Sequence, residues 1–226
     1  MIRIEQIDRE QALRYMSYKG GAISDTALTE LEECERKLLE TIRPVCVYRV
    51  FKINGFFPLT LENGLVLEGK DLSEHLEGCG YAALFAATVG ADVDMLIRRL
   101  QITDMAKSVM TDALASAAAE QAADLAEEEI RKSLPGKFFT WRYSPGYGDL
   151  PLTVQPKLLN VLNAGKTAGI VLQKENMMSP MKSVTAVIGI SEDPVEKKRM
   201  GCAECRSFEG CSLRRKGLHC GFQKTT

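Results

Sequence analysis

Leu28, Leu31, Leu38, Leu39 and Ile42 recur at helical spacing behind Ser24 and Asp25, and Pro44 ends the run. This is the apolar stripe of an amphipathic helix with a capping residue at its start. A shorter helix is expected from about Gln6 to Met16, with Ile7, Leu13 and Met16 on its apolar side and Gly20-Gly21 breaking it. After Pro44 the pattern changes to branched and aromatic residues, Val45, Val47, Tyr48, Val50, Phe51 and Ile53, which reads as a strand closed by an Asn54-Gly55 hairpin turn. Phe56 to Leu61 and Leu65 to Leu67, separated by Glu62-Asn63-Gly64, continue it as an antiparallel meander.

Asp71 and Ser73 offer caps for a helix around Ser73 to Leu76. Tyr81 to Val89 carries no charge and is bounded by glycines, as a strand buried on both faces would be. Asp92 opens a helix to about Leu100, and Thr103 opens a longer one through Ala113, Ala117, Ala122 and Leu125 to Ile130, whose alanines permit close packing. Leu134-Pro135-Gly136 ends it; a short apolar segment over Thr140 to Tyr143, a helix near Pro156 to Asn163, and strands near Ala168 to Gln173 and Val184 to Ile190 follow. Hairpins at the front and helices of unequal length predict an α+β fold, a mainly antiparallel twisted sheet with flanking helices.

Composition narrows this reading. With 226 residues and 45% hydrophobic content the chain can bury a sizeable core. Its 29 basic and 30 acidic residues give a net charge of -1, so nothing global draws it to nucleic acid or to a membrane. Met1 to Glu5 alternates charged and apolar residues rather than forming a signal peptide, and no stretch is apolar enough to span a bilayer, so a cytoplasmic protein is expected. In that compartment the seven cysteines would remain thiols or bind metal.

Candidate chemistry concentrates in Arg142-Tyr143-Ser144-Pro145-Gly146-Tyr147. Pro145 presets the second position of a turn, and Gly146 tolerates the positive φ that the third position of a type II turn requires. An arginine before so stiff a bend and a tyrosine after it can converge on a carboxylate. Ser-Pro-Gly-Tyr is also an ordinary surface turn, and an arginine beside it an ordinary ion-paired residue; spacing alone favours that plainer reading.

The order of two motifs changes the balance. Arg-x-x-Pro-Gly-Tyr at Arg142 to Tyr147, followed by Met-x-Pro-x-x-Ser-Val at Met178 to Val184, resembles the activation domain of cobalamin-dependent methionine synthase. The likeness covers roughly residues 71–190, including the helix from Ala113 to Arg131 and the segment from Leu158 to Asn176. It implies a stand-alone activation-domain-like body over 1–190, with 1–70 as a front extension of helices and hairpin. It implies S-adenosylmethionine as cofactor, with Arg142, Pro145, Gly146, Tyr147 and Ser183 as binding residues. Its implied partners are a cobalamin-binding methionine synthase or related corrinoid protein, and an electron donor such as flavodoxin or ferredoxin.

Two departures accompany it. Gly148-Asp149-Leu150-Pro151 stands where the family has Cys-Pro followed by an acid and histidine, and Ile188 stands where the family has a second tyrosine. Asp92 and Asp94 are candidates for the family's acidic ligand, though acids at helix starts are commonly caps. The methionines around Pro180 can face a corrin or a partner, or simply fill gaps in a core.

Beyond Ser191-Glu192-Asp193-Pro194, residues 191–226 read as a linker and a basic tail, with eight basic residues against two acidic ones in 197–226. Cys202, Cys205, Cys211 and Cys220 lie there in a hydrophobe-poor segment, the usual setting for a structural zinc or an iron-sulfur cluster. Neither ribbon nor ferredoxin spacing is matched; the need for an electron in reductive activation tilts toward iron-sulfur. His219 is a further possible ligand beside Cys220, while Cys34, Cys46 and Cys79 lack partner spacing. Two functions remain: an S-adenosylmethionine-binding component for reductive activation, or a metal-containing adaptor that docks a corrinoid protein without the cofactor. An ordinary methyltransferase is disfavoured, since no Gly-x-Gly-x-x-Gly loop follows a strand.

Overall fold

Val45 to Phe56 forms a long strand, β1, and its neighbour Tyr81–Thr88 is the uncharged strand the sequence marks as doubly buried. In a computed structural model describing residues 2–18, 23–195 and 209, these two strands pair antiparallel at the centre of a six-stranded sheet. In chain order the strands are β1 (Val45–Phe56), β2 (Leu59–Leu61), β3 (Val66–Leu67), β4 (Tyr81–Thr88), β5 (Phe138–Phe139), β6 (Val171–Leu172), β7 (Met178–Ser179) and β8 (Ser183–Ser191). The main sheet runs β3-β2-β1-β4-β8-β5, antiparallel throughout, and β6 and β7 make a separate two-stranded ribbon.

Seven helices accompany the strands among the described residues: α1 (Arg9–Tyr15), α2 (Asp25–Thr41), α3 (Lys70–His75), α4 (Ala91–Thr103), α5 (Met105–Ser133), α6 (Gln155–Leu162) and α7 (Ala164–Thr167). Side chains alternate across β4 and so divide the core. Ala83, Phe85 and Ala87 join the cluster beneath α1, α2, α4 and α5; Ala82, Leu84 and Ala86 join that beneath α3 and α6. With both faces covered, β4 has no polar side to show in its sequence. Residues before 71 supply β1 and the first two helices to the same sheet and core: Ile2, Ile4, Ile7 and Ala12 pack in one cluster with the α5 alanines.

Ser24 caps α2 as expected, accepting from the Ala27 N–H at 3.3 Å; the long helix opens one residue later than expected, since Thr103 ends α4 and Asp104 caps α5 by accepting from the Lys107 N–H at 3.0 Å. The Asn54-Gly55 hairpin turn is corrected: β1 runs on through both residues to Phe56, with a register shift between Ile53 and Gly55, and the chain reverses at Phe57-Pro58. Continuing the strand brings Leu59 and Leu61 back over Ile53, burying all three, which an earlier turn would forfeit. Just before the apolar segment Thr140 to Tyr143, Phe138–Phe139 forms a ladder with β8, and within it Tyr143 makes an isolated bridge to Val187. Thr140 interrupts the ladder because its own hydroxyl accepts the Gly189 N–H at 2.9 Å. No helix among the described residues is long and apolar enough to cross a membrane.

Candidate functional site

The Arg142 loop leaves the sheet at its β5 edge. Tyr143 exchanges backbone hydrogen bonds of 2.9 Å with Val187 in β8, which pins the loop to the sheet. Tyr147 N–H then donates to the Ser144 carbonyl at 3.0 Å, and Gly146 has φ +93, closing the type II turn expected from Pro145 and Gly146. A second turn follows at once, with Leu150 N–H on the Tyr147 carbonyl at 3.0 Å and Gly148 at φ +48. Asp71, in the first turn of α3, locks this second turn. Its Oδ2 accepts from Asp149 N–H at 3.0 Å, while the Asp149 carboxylate accepts from Lys70 and Asp71 N–H at 2.6 and 3.1 Å.

Two sides of the loop carry different chemistry. Tyr143, 1% exposed, turns toward the α6 side, in ring contact with His75 and Trp141 and edge-on to Tyr147 at 6.1 Å between centroids. The His75 ring, buried here with Nε2 2.8 Å from the Trp141 carbonyl, has its pKa lowered by burial, a shift that the carbonyl partly opposes. Arg142 turns to the opposite side, onto α5. Its Nη1 donates to Asp124 and to Glu127, both at 2.6 Å, and its Nη2 to Glu120 at 2.8 Å. Burial works against the guanidinium charge, but Asp124 and then Glu127 more than offset it, so the Arg142 pKa is raised. Glu127 also meets Arg131 Nη2 at 3.5 Å, so two guanidinium groups face three carboxylates and leave a local surplus of one negative charge.

Tyr147, with 45% of its surface exposed, borders the same patch. Tyr15, at the end of α1, lies near enough to the Glu120 carboxylate and the Tyr147 phenol to feel both. Arg142 and Tyr147 are thus brought to one neighbourhood, with Pro145 buried beneath the bend and Gly146 exposed upon it. Two surface hollows beside the N-terminal segment, one lined by Gln6 to Glu10 with Gln121, the other by Glu5 with Arg9 and α2, include neither Arg142 nor Tyr147.

Ser183 sits elsewhere. Its hydroxyl lies 2.7 Å from the Pro180 carbonyl and 2.9 Å from Thr88 Oγ1, closing the Pro180 loop at the other end of β8. Four residues separate it from Val187, about 13 Å of strand. Asp94 accepts from the Met181 N–H at 2.9 Å and so positions that loop, whereas Asp92 is exposed in the first turn of α4. Met177 and Met181 are exposed, while Met178 packs against the α6-side core. Lys182 reaches α5 as well, 2.8 Å from both Asp112 and Ser116. Cys202, Cys205, Cys211, Cys220 and His219 lie outside the described residues, among which no cluster of metal-ligating side chains occurs.

Sequence reasoning missed the acidic partners. Asp112, Ser116, Glu120 and Asp124 are four residues apart and hence stacked on one face of α5, with Glu127 one further turn on. That spacing was visible, but nothing local says that an arginine and a lysine from another strand face it. Asp71 read as a helix cap; its task is to hold a loop 78 residues downstream.

Fold and site together define an α+β domain, one antiparallel sheet bearing a charged patch where a proline-glycine bend meets a long alanine-rich helix. Residues 71–196 match the sequence profile of "Vitamin B12 dependent methionine synthase, activation domain". More than half of the chain lies within that match, and the chain belongs to this family. Among solved structures, the MetH reactivation domain bound to AdoHcy is similar at 20% identity and a TM-score of 0.63, over 94% of this chain and 82% of that one. That likeness is one of fold. No curated protein matches the chain.

Proposed function

We propose that this chain binds S-adenosylmethionine at the Arg142 patch and presents it to a cobalamin carried by a partner protein, as a component for reductive activation of cobalamin-dependent methionine synthase. The observation that carries the proposal is the Arg142 guanidinium, held on α5 beside the Pro145-Gly146 bend with Tyr147 at its margin. Family membership and a solved neighbour bound to AdoHcy, the demethylated form of that cofactor, support it.

The residues suit the group. S-adenosylmethionine carries a carboxylate, an ammonium and a sulfonium, a net charge of +1, and a patch whose three carboxylates outnumber its two arginines favours such a ligand over an anion. Asp124, whose side chain is 65% exposed, is the carboxylate a ligand carboxylate would replace on Nη1. Glu120 would take the ammonium, and Gly146 would let the ligand approach backbone. Once bound, the sulfonium supplies an electrophilic methyl group to the partner's cobalamin, reduced by one electron from a flavodoxin or ferredoxin, and leaves as S-adenosylhomocysteine. Ser183 would act at this site only through the Pro180 loop it closes.

Calorimetry tests the reading: saturable heat with S-adenosylmethionine is expected, reduced at least about tenfold in affinity by Arg142→Ala, in line with loss of a charge-assisted pair. An unmodified chain that gives no heat yet still binds a corrinoid protein would establish the adaptor reading instead. The four tail cysteines are proposed, from their spacing, to hold an iron-sulfur cluster or zinc; an absorption spectrum with metal analysis after anaerobic purification distinguishes the two.

A further inference from the structure

The family match begins at residue 71, yet α1, far upstream, packs on α5 at Gln121, the residue next to Glu120 of the Arg142 patch. Two anchors hold it there. Gln121 of α5 accepts from the Asp8 N–H at 3.1 Å and donates to the Gln6 carbonyl at 2.9 Å. Glu35 of α2, 4% exposed, accepts from the Ile7 N–H at 3.1 Å and from Arg9 Nε at 2.5 Å. Ala12 is buried against α5, so the helix cannot roll, and its last residue, Tyr15, keeps 48% of its surface exposed. Gln11 Nε2, one turn back, lies 3.4 Å from the Tyr15 hydroxyl.

We infer that Tyr15 is a specificity-determining residue of the cofactor site, its ring forming with Tyr147 an aromatic wall for the sulfonium of S-adenosylmethionine. This rests on the cofactor reading above. Arg142 and Glu120 fix the amino-acid end, and the sulfonium lies only a few bonds from it. A ring beside Glu120 therefore meets the sulfonium before the adenine. The face of a phenol attracts a cation more strongly than a neutral thioether. Tyr15 thus favours the methylated cofactor over S-adenosylhomocysteine and eases departure of the demethylated product.

The experiment is calorimetric titration of the full chain with S-adenosylmethionine and with S-adenosylhomocysteine, in the unmodified protein, Tyr15→Ala and Tyr15→Phe, with thermal unfolding to verify the fold. Tyr15→Ala is expected to weaken S-adenosylmethionine about tenfold and S-adenosylhomocysteine by less than about threefold, so the preference ratio falls; Tyr15→Phe should stay within about twofold of the parent on both. An unchanged ratio in folded Tyr15→Ala overturns the inference, as does a loss in Tyr15→Phe equal to that in Tyr15→Ala, which would assign the effect to the hydroxyl. If the unmodified chain binds neither ligand, the cofactor reading itself falls.

Discussion

Replacing Gly148 and Gly146 by alanine, one at a time, compares two glycines in one loop that share a backbone demand and differ in space. Both have positive φ, +48 and +93, so an alanine at either costs about 1–2 kcal/mol for the left-handed conformation. At Gly146 a Cβ meets nothing nearer than Leu152 Cδ2 at 3.4 Å, and the backbone cost is the whole of it. At Gly148 the Cβ would land 2.0 Å from Tyr143 Oη and 2.3 Å from Asp71 Oδ2. Neither yields easily: the buried Tyr143 ring packs against both His75 and Trp141, and Asp71 holds the Asp149 N–H. Overpacking adds about 1–3 kcal/mol and loss of the Asp71 hydrogen bond about 1 more. Gly148→Ala should therefore cost roughly 4 kcal/mol against about 1.5 for Gly146→Ala. In a chain of this size the difference separates the two melting midpoints by roughly 5–10 °C, and urea denaturation should rank them alike. Equal midpoints would refute the claim that Tyr143, Gly148 and Asp71 are packed without slack.

Arg142→Ala leaves Glu120 and Asp124 without their cation and Glu127 with Arg131 alone, at 3.5 Å; stability should fall by about 2 kcal/mol, less than for a fully buried pair because Asp124 is mostly exposed, and added salt should restore part of it in urea melts. His75 is kept neutral by burial, its pKa below the ordinary 6.5, so under about that pH the unfolded chain takes up a proton the folded one refuses. Stability should accordingly be complete above that value and decline as pH falls below it, and His75→Gln should flatten this part of the profile; an unchanged slope refutes it. Glu35→Ala strands the Ile7 N–H and leaves Arg9 only its Glu32 partner, and should raise amide exchange in residues 7–15 while α5 stays protected; uniform loss of protection would contradict the anchoring of α1.

What the chain discloses about itself divides by distance. The Ser24 cap, the Pro145-Gly146 bend and the doubly buried β4 are decided within a few residues, and each was readable. The Asn54-Gly55 turn was misread because a local preference lost to the burial of Leu59 and Leu61, which depends on a strand partner. Of the site, Arg142 and the loop after it were legible through the motif. The carboxylates they meet, the lock between Asp71 and Asp149 and the approach of Tyr15 join residues 15 to over 100 positions apart, and a single sequence carries no sign of which helix face will turn toward which strand.

Helix α5 presents buried alanines at 113, 115, 117, 118, 119, 122, 123 and 126, several of them over the alanines of β4. Methyl groups on both sides fix the separation of helix and sheet by backbone contact, with almost no side-chain bulk to trim. The height at which Glu120, Asp124 and Glu127 stand beside Arg142 is therefore hard to tune from within: shortening core residues has little to remove, and enlarging them pries helix and sheet apart. Variation in what this surface accepts must come from its perimeter, where α1 and the bend at Gly146 can change shape without disturbing the platform.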